Sequence, residues 1–249
     1  MTKAIAIGLL SSLVAVTCAT TVVAQTESST ESFETFGDWC RNRIRLTPAA
    51  EHTVNVLIEE AGTTDCQQAE ETLTNSIELD LSGRQIADVS PLGSLTHLTR
   101  LGLRDNQVGD VTPLARLTNL RGLGLSNNVI RDVAPLTNLT NLTLLNLAHN
   151  QVEDVTPLAE LTNLNNLFLD DNAIADVAPL AGLTNLRTLW LWNNDIVDAT
   201  PLASLTGLQR LYLGANPLND CTCPIQPEIS CQSDDRSARC QFGDPMYGR

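Results

Sequence analysis

A strict 22-residue period limits what this chain can fold into more than any other feature. Leu-x-Leu pairs fall at Leu79/Leu81, Leu101/Leu103, Leu123/Leu125, Leu145/Leu147, Leu167/Leu169, Leu189/Leu191 and Leu211/Leu213, and three more columns keep the same step. An asparagine column runs from Asn106 through Asn128, Asn150, Asn172 and Asn194 to Asn216; an aspartate column runs from Asp88 to Asp220, and a proline column from Pro91 to Pro201. A unit this short cannot bury its own apolar face, so each turn is stable only against its neighbours. The seven repeats, over about residues 76 to 220, therefore have to stack into a coil with one shared core. Aromatic residues make up only 4% of the chain, so that core has to be aliphatic.

Each column has a physical reading. The alternation around Leu101 and Leu103 predicts a short strand with one face buried, and stacked strands form a parallel sheet. The asparagine amide both donates and accepts, so it can satisfy backbone groups of adjacent turns that burial would otherwise strand, whereas an ionised aspartate only accepts. In Val108-Gly-Asp110-Val111-Thr-Pro113-Leu114 the aspartate suits a cap and the proline suits the start of a helical turn, where no N–H is needed. The return arm is too short for a long α-helix.

The pattern Leu-x-x-Leu-x-Leu-x-x-Asn-x-Ile/Val-x-Asp-Val-x-Pro-Leu resembles the leucine-rich repeat of the internalin type, with the first repeat departing at Arg84, where the asparagine would stand. The resemblance implies an α/β right-handed solenoid with a parallel sheet on the concave face, short 3₁₀ turns on the convex face and a helical N-terminal cap. It also implies a bacterial exported binding scaffold. Asn216 to Ile225 is similar to the cysteine-rich C-terminal flank of extracellular leucine-rich repeats. The chain ends at Arg249 without a sorting signal or a second hydrophobic segment, so wall anchoring is not expected.

Outside the repeats the sequence divides further. Residues 1–24 read as a signal peptide: Lys3, an uncharged apolar stretch, then Val22-Val23-Ala24 before Gln25. Residues 25–35 are rich in Ser, Thr and Glu and read as a disordered leader. Residues 36–75 form the helical cap, with helices expected from Pro48 to Glu60, stopped by Gly62, and from Asp65 to Leu73. Residues 221–249 form the cysteine-rich C-terminal cap. After cleavage six cysteines remain, Cys40, Cys66, Cys221, Cys223, Cys231 and Cys240, an even set that favours disulfides in an exported chain. The simplest pairing joins Cys40 to Cys66 and makes two bridges among the other four.

Cleavage also removes Lys3, the only lysine, leaving 14 arginines against 29 acidic side chains. A charge of −15 argues against nucleic acid as a partner, and no membrane insertion is expected once the leader is gone. The expected location is secreted, periplasmic or in the cell envelope.

In each repeat the residues equivalent to Arg100, Gly102, Arg104 and Asp105 are expected to face outward from the concave sheet. The second of these columns reads Asp80, Gly102, Gly124, Asn146, Phe168, Trp190, Tyr212, with Trp192 beside it in the third. These four are the only aromatic residues in the repeat block, and none stands in a leucine column. Strands about 4.8 Å apart would align Phe168, Trp190 and Tyr212 in one stripe. The stripe, rimmed by Trp192, Asn193, Asp170, Asp171 and Arg210, is the expected partner-binding hot spot; the opposing reading has the rings packed on one another or covered by the C-terminal cap. Around Gly102, Gly122 and Gly124, with Arg100, Arg104 and Arg121, the sheet is expected to be flat and solvated.

Ser126, His149 and Asp171 on successive turns have the residue types of a hydrolytic triad, but a flat sheet offers neither an oxyanion hole nor a pocket. His149 with Asp170 and Asp171 has the donor types for a metal ion, but scattered carboxylates lack a ligand-dense loop. No catalytic residue, metal or cofactor is assigned. The expected function is non-catalytic recognition of a protein on the concave face. A carbohydrate ligand, an adhesion or structural module, and, further off, a phosphatase regulator or a hydrolase are the alternatives.

Overall fold

The structure, a computed structural model, describes residues 33–220, 223–225 and 231–232. The expected signal peptide over 1–24 lies outside the described residues, as do most of the leader and of the C-terminal cap, including Cys221 and Cys240.

Three helices precede the repeats. Helix α1 (Phe36–Arg41) opens on a reciprocal cap: the Thr35 hydroxyl accepts from the Asp38 N–H, and the Asp38 carboxylate accepts from the Thr35 N–H. Helix α2 (Pro48–Glu60) starts on a proline behind the Thr47 cap, and Gly62 at φ +67° takes the left-handed conformation that ends it. Helix α3 (Cys66–Asn75) is capped by Asp65, whose carboxylate accepts from the Gln67 and Gln68 N–H groups. Helices α2 and α3 fall where the sequence places them. Helix α1 does not follow from the apolar period, because six residues are too few to display one. A Cys40–Cys66 disulfide ties α1 to α3 as expected, with the Cα atoms 5.6 Å apart.

The strands are β1 (Glu78–Asp80), β2 (Arg100–Gly102), β3 (Gly122–Gly124), β4 (Leu144–Asn146), β5 (Asn166–Phe168), β6 (Thr188–Trp190), β7 (Arg210–Tyr212) and β8 (Cys231–Gln232). They lie in chain order in one parallel sheet. From β1 to β7 the register equals the repeat, so Leu79 pairs with Leu101 and Trp190 with Tyr212. Return arms carry 3₁₀ turns such as Thr112–Arg116, Thr156–Glu160 and Thr200–Ser204. This is the expected solenoid. Leu101, Leu123, Leu145, Leu167, Leu189 and Leu211 are all buried behind the sheet.

The asparagine ladder works as its chemistry requires. Asn128 Oδ1 accepts from the Val108 N–H at 2.9 Å, while Nδ2 donates to Leu103 O at 2.9 Å and Leu125 O at 3.0 Å, so one amide links its own turn to the preceding one. The same bonds recur at Asn150, Asn172, Asn194 and Asn216. At the first turn Arg84 leaves the ladder and pairs with Glu59 of α2 at 2.6 Å, while the His52 ring meets Arg84 O. The departure in sequence thus marks where the helical cap docks. From Asp88 to Asp198 each column aspartate accepts from the N–H two residues on, as Asp110 does from Thr112 at 2.8 Å. Hydrogen bonds from Thr112, Thr156 and Thr200 hold the carboxyls of Asp110, Asp154 and Asp198 below the ordinary range.

Candidate binding face

The concave sheet has two unlike halves. In the C-terminal half the register of β5, β6 and β7 lines up Phe168, Trp190 and Tyr212. Phe168 and Trp190 meet edge to face with centroids 5.1 Å apart, and Trp190 and Tyr212 meet tilted at 4.8 Å. These are favourable geometries for aromatic pairs, and they leave all three rings half-buried. The rings do pack on one another, so that part of the opposing reading holds, yet the column remains partly open. Trp190 Nε1 is buried without a hydrogen-bond partner. Trp192 is 38% exposed, and Arg210 is exposed at the edge. Past Tyr212 the column continues in backbone register to Gln232.

The rim differs from a simple outward-facing array. The fourth column opens on Gly83 at φ 70° and continues as Asp105, Asn127, His149, Asp171, Asn193 and Ala215, all with φ between 51° and 56°. Asn, Asp and His are the non-glycine residues that tolerate this conformation best, so the backbone accounts for much of the column's composition before any ligand is invoked. That constraint is what set His149 and Asp171 in the same column. His149 Nδ1 lies 3.2 Å from Asp171 Oδ2, and Nε2 lies 3.9 Å from Asp170 Oδ2. Asn193 Nδ2 donates to Asp171 Oδ1. Among the described hydrogen bonds none joins Ser126 to His149, and Ser126 is buried, so the histidine and aspartate of the supposed triad come together without the serine.

Asp170, expected at an open rim, is only 9% exposed, and its Oδ1 has no hydrogen-bond partner. Burial pushes its carboxyl above the ordinary range.

In the N-terminal half the expected flat surface is a hollow of about 890 Å³. Gly102, Gly122 and Gly124 form its floor, and Arg100, Arg104, Arg121 and Leu144 stand around it. A Cβ on Gly102 would come within 2.5 Å of Asp80 Oδ1, so glycine there makes room for a carboxylate held by Ser82. Arg100 pairs with Glu78 at 3.0 Å and Arg104 with Asp105 at 2.9 Å. Sequence reasoning missed the hollow; the run of three glycines in adjacent concave positions was the available signal. Among the cysteines, Cys223 is disulfide-bonded as well.

A repeat of this register, with an asparagine ladder and a concave sheet free to vary, defines a leucine-rich-repeat protein. The family model for leucine-rich repeats in two copies matches residues 118–160, 140–182, 162–200 and 184–225. Among solved structures, the Listeria monocytogenes internalin inlF is similar at 28% identity and a TM-score of 0.66, over 73% of this chain and 55% of its own. Internalin C2 of the same species is 31% identical with a TM-score of 0.63, over 75% of this chain and 92% of its own. The chain belongs to the leucine-rich-repeat proteins of internalin-like type. It spans just over half of the first of these structures and nearly all of the second. The leucine-rich-repeat ectodomain of a membrane receptor kinase from Arabidopsis thaliana, in complex with Casparian strip integrity factor 2, is 28% identical with a TM-score of 0.52, over 57% of this chain and 18% of its own. No curated protein matches the sequence.

Proposed function

We propose that this chain is a non-catalytic binding protein that takes a protein partner on the concave face, anchored on Phe168, Trp190, Tyr212 and Trp192, with Asp170, Asp171, Asn193 and Arg210 at the rim. The single observation that carries the reading is the aromatic column itself: four large rings, none in the leucine core, gathered on adjacent turns with Trp192 left 38% exposed. Apolar surface of this kind on a rigid sheet is where interface energy concentrates. The charge of the chain favours a partner with a basic surface. A protein is favoured over a glycan by the edge-to-face contact of Phe168 with Trp190, which turns the rings away from the flat platform that sugar stacking uses. The plant ectodomain, a relative by fold, is itself recorded bound to another factor.

The same reading places the chain outside the cytoplasm. Its support is the apolar leader and the Cys40–Cys66 and Cys223 disulfides.

The deciding experiment is affinity capture from the native envelope with the wild-type chain and a Trp190→Ala/Trp192→Ala variant at matched folded fraction, followed by measured affinity for the recovered protein and a glycan array. Equal affinity of both proteins, or glycan binding alone, would sink the reading.

A further inference from the structure

We infer that His149, Asp170 and Asp171 form a binding site for a divalent transition-metal ion of the zinc or cobalt class. This inference does not depend on the partner reading above. The three side chains offer one imidazole nitrogen and two carboxylate oxygens that all lie within 4.8 Å of one another. Two ligands held about 2.1 Å from one tetrahedral ion are about 3.4 Å apart, so the 3.2 Å contact of His149 Nδ1 with Asp171 Oδ2 already fits, and rotation of the Asp170 side chain is what brings in the third ligand.

The second observation is independent of the clustering. Asp170 is 9% exposed over the whole residue and 13% over its side chain, its Oδ2 lies 3.9 Å from His149 Nε2, and its Oδ1 has no hydrogen-bond partner. A largely buried carboxylate with one oxygen unpaired is costly, and the neighbouring imidazole already spends its closer nitrogen on Asp171. A cation seated between the three groups supplies the charge that the protein's hydrogen bonds leave missing.

The surroundings are organised for it. Asn193 Nδ2 holds Asp171 Oδ1 and leaves Oδ2 directed at His149, the arrangement by which an outer amide orients a ligating carboxylate. The backbones of His149, Asp171 and Asn193 are fixed in the left-handed conformation and bonded across the sheet, with His149 N–H donating to Asp170 O at 2.8 Å. An imidazole in the set favours a borderline transition metal over calcium or magnesium, which take oxygen ligands. The His149 side chain is half exposed, which leaves room for water or a partner's side chain to complete the coordination.

The test uses the untagged full chain, freed of metal with a chelator and titrated with Zn²⁺ by calorimetry and with Co²⁺ by visible absorption. Expected is saturable uptake of one ion per chain, lost in His149→Asn and Asp170→Asn, and weakened about 10-fold in Asn193→Ala. Asparagine at position 149 keeps a residue suited to the left-handed backbone, and circular dichroism verifies that the variant is folded. Absence of saturable uptake by the folded wild-type chain, or uptake unchanged in either His149→Asn or Asp170→Asn, overturns the assignment.

Discussion

The two halves of the concave sheet share one backbone and one leucine core, yet they present opposite surfaces. Over β2 and β3 the second column is Gly102 and Gly124, and the sheet sinks into a hollow edged by arginines that are partly engaged with Glu78 and Asp105. Over β5 to β7 the same column is Phe168, Trp190 and Tyr212, and the rings stand together above the sheet. The difference teaches that the repeat dictates the rungs and leaves the outward columns to function. It also shows that the freedom is unequal between columns. The second column varies from glycine to tryptophan, whereas the fourth is held to residues that accept a positive φ.

The strongest way to break the comparison is to attack what the halves share. Leu145→Ala, fully buried at the middle of the sheet, is expected to cost about 3 kcal/mol in urea denaturation. Because the repeats are coupled through neighbours, both halves should lose structure together. A variant that unfolded only one half would show that the solenoid is two separable units.

Next in size is the contrast in binding. Trp190→Ala with Trp192→Ala should weaken partner affinity by about 30-fold, or about 2 kcal/mol. Arg104→Ala with Arg121→Ala should change it by less than about 3-fold, as exposed charges typically do. Calorimetry on the recovered partner measures both, and the reverse ranking would move the site to the hollow.

A smaller effect sharpens the reading of the hollow. Gly124→Ala meets nothing nearer than 3.9 Å and should raise stability by about 0.5 kcal/mol by restricting the unfolded chain. Gly102→Ala displaces the Asp80 carboxylate from Ser82 and should lower stability by about 1 kcal/mol instead. Equal effects on thermal melting would mean that the Asp80–Ser82 bonds contribute nothing.

The smallest effects are electrostatic and of opposite sign. Asp110, Asp154 and Asp198 have folded-state pKa values below the unfolded value of about 3.9. Their contribution to stability is therefore present above that pH and lost as pH falls through the folded values. Asp170 is raised, so its ionised form costs stability near neutral pH, and the cost fades as pH falls through its folded-state value. In metal-free buffer Asp170→Asn should melt higher than wild type near neutral pH and converge with it in acid, whereas Asp154→Asn should melt lower near neutral pH and also converge. Melting curves from pH 7 to pH 3 test both.

What the amino-acid sequence determined by itself was the coil, and the reason is that a nearest-neighbour architecture writes its contacts into its period. Leu101 lies beside Leu123 because the two are one repeat apart, and Asn128 links the backbones of adjacent turns for the same reason. The alignment of Phe168, Trp190 and Tyr212 was legible on those grounds too. So was the staple between Cys40 and Cys66, the two cysteines that lie between the expected signal peptide and the repeats.

Only the tertiary structure decided how side chains settle between rungs. A column position does not state whether a ring lies flat or edge-on, so the mutual cover of Phe168 and Trp190 was not readable. Nor does it state depth, so the hollow over Gly102 and Gly124 and the burial of Asp170 were not readable either. His149 and Asp171 are one repeat apart and meet on adjacent rungs as the period requires, but the depth at which Asp170, one column earlier, joins them was not readable. Register is set by the backbone period, whereas depth and orientation depend on how neighbouring side chains share space across turns, and that information belongs to no single repeat.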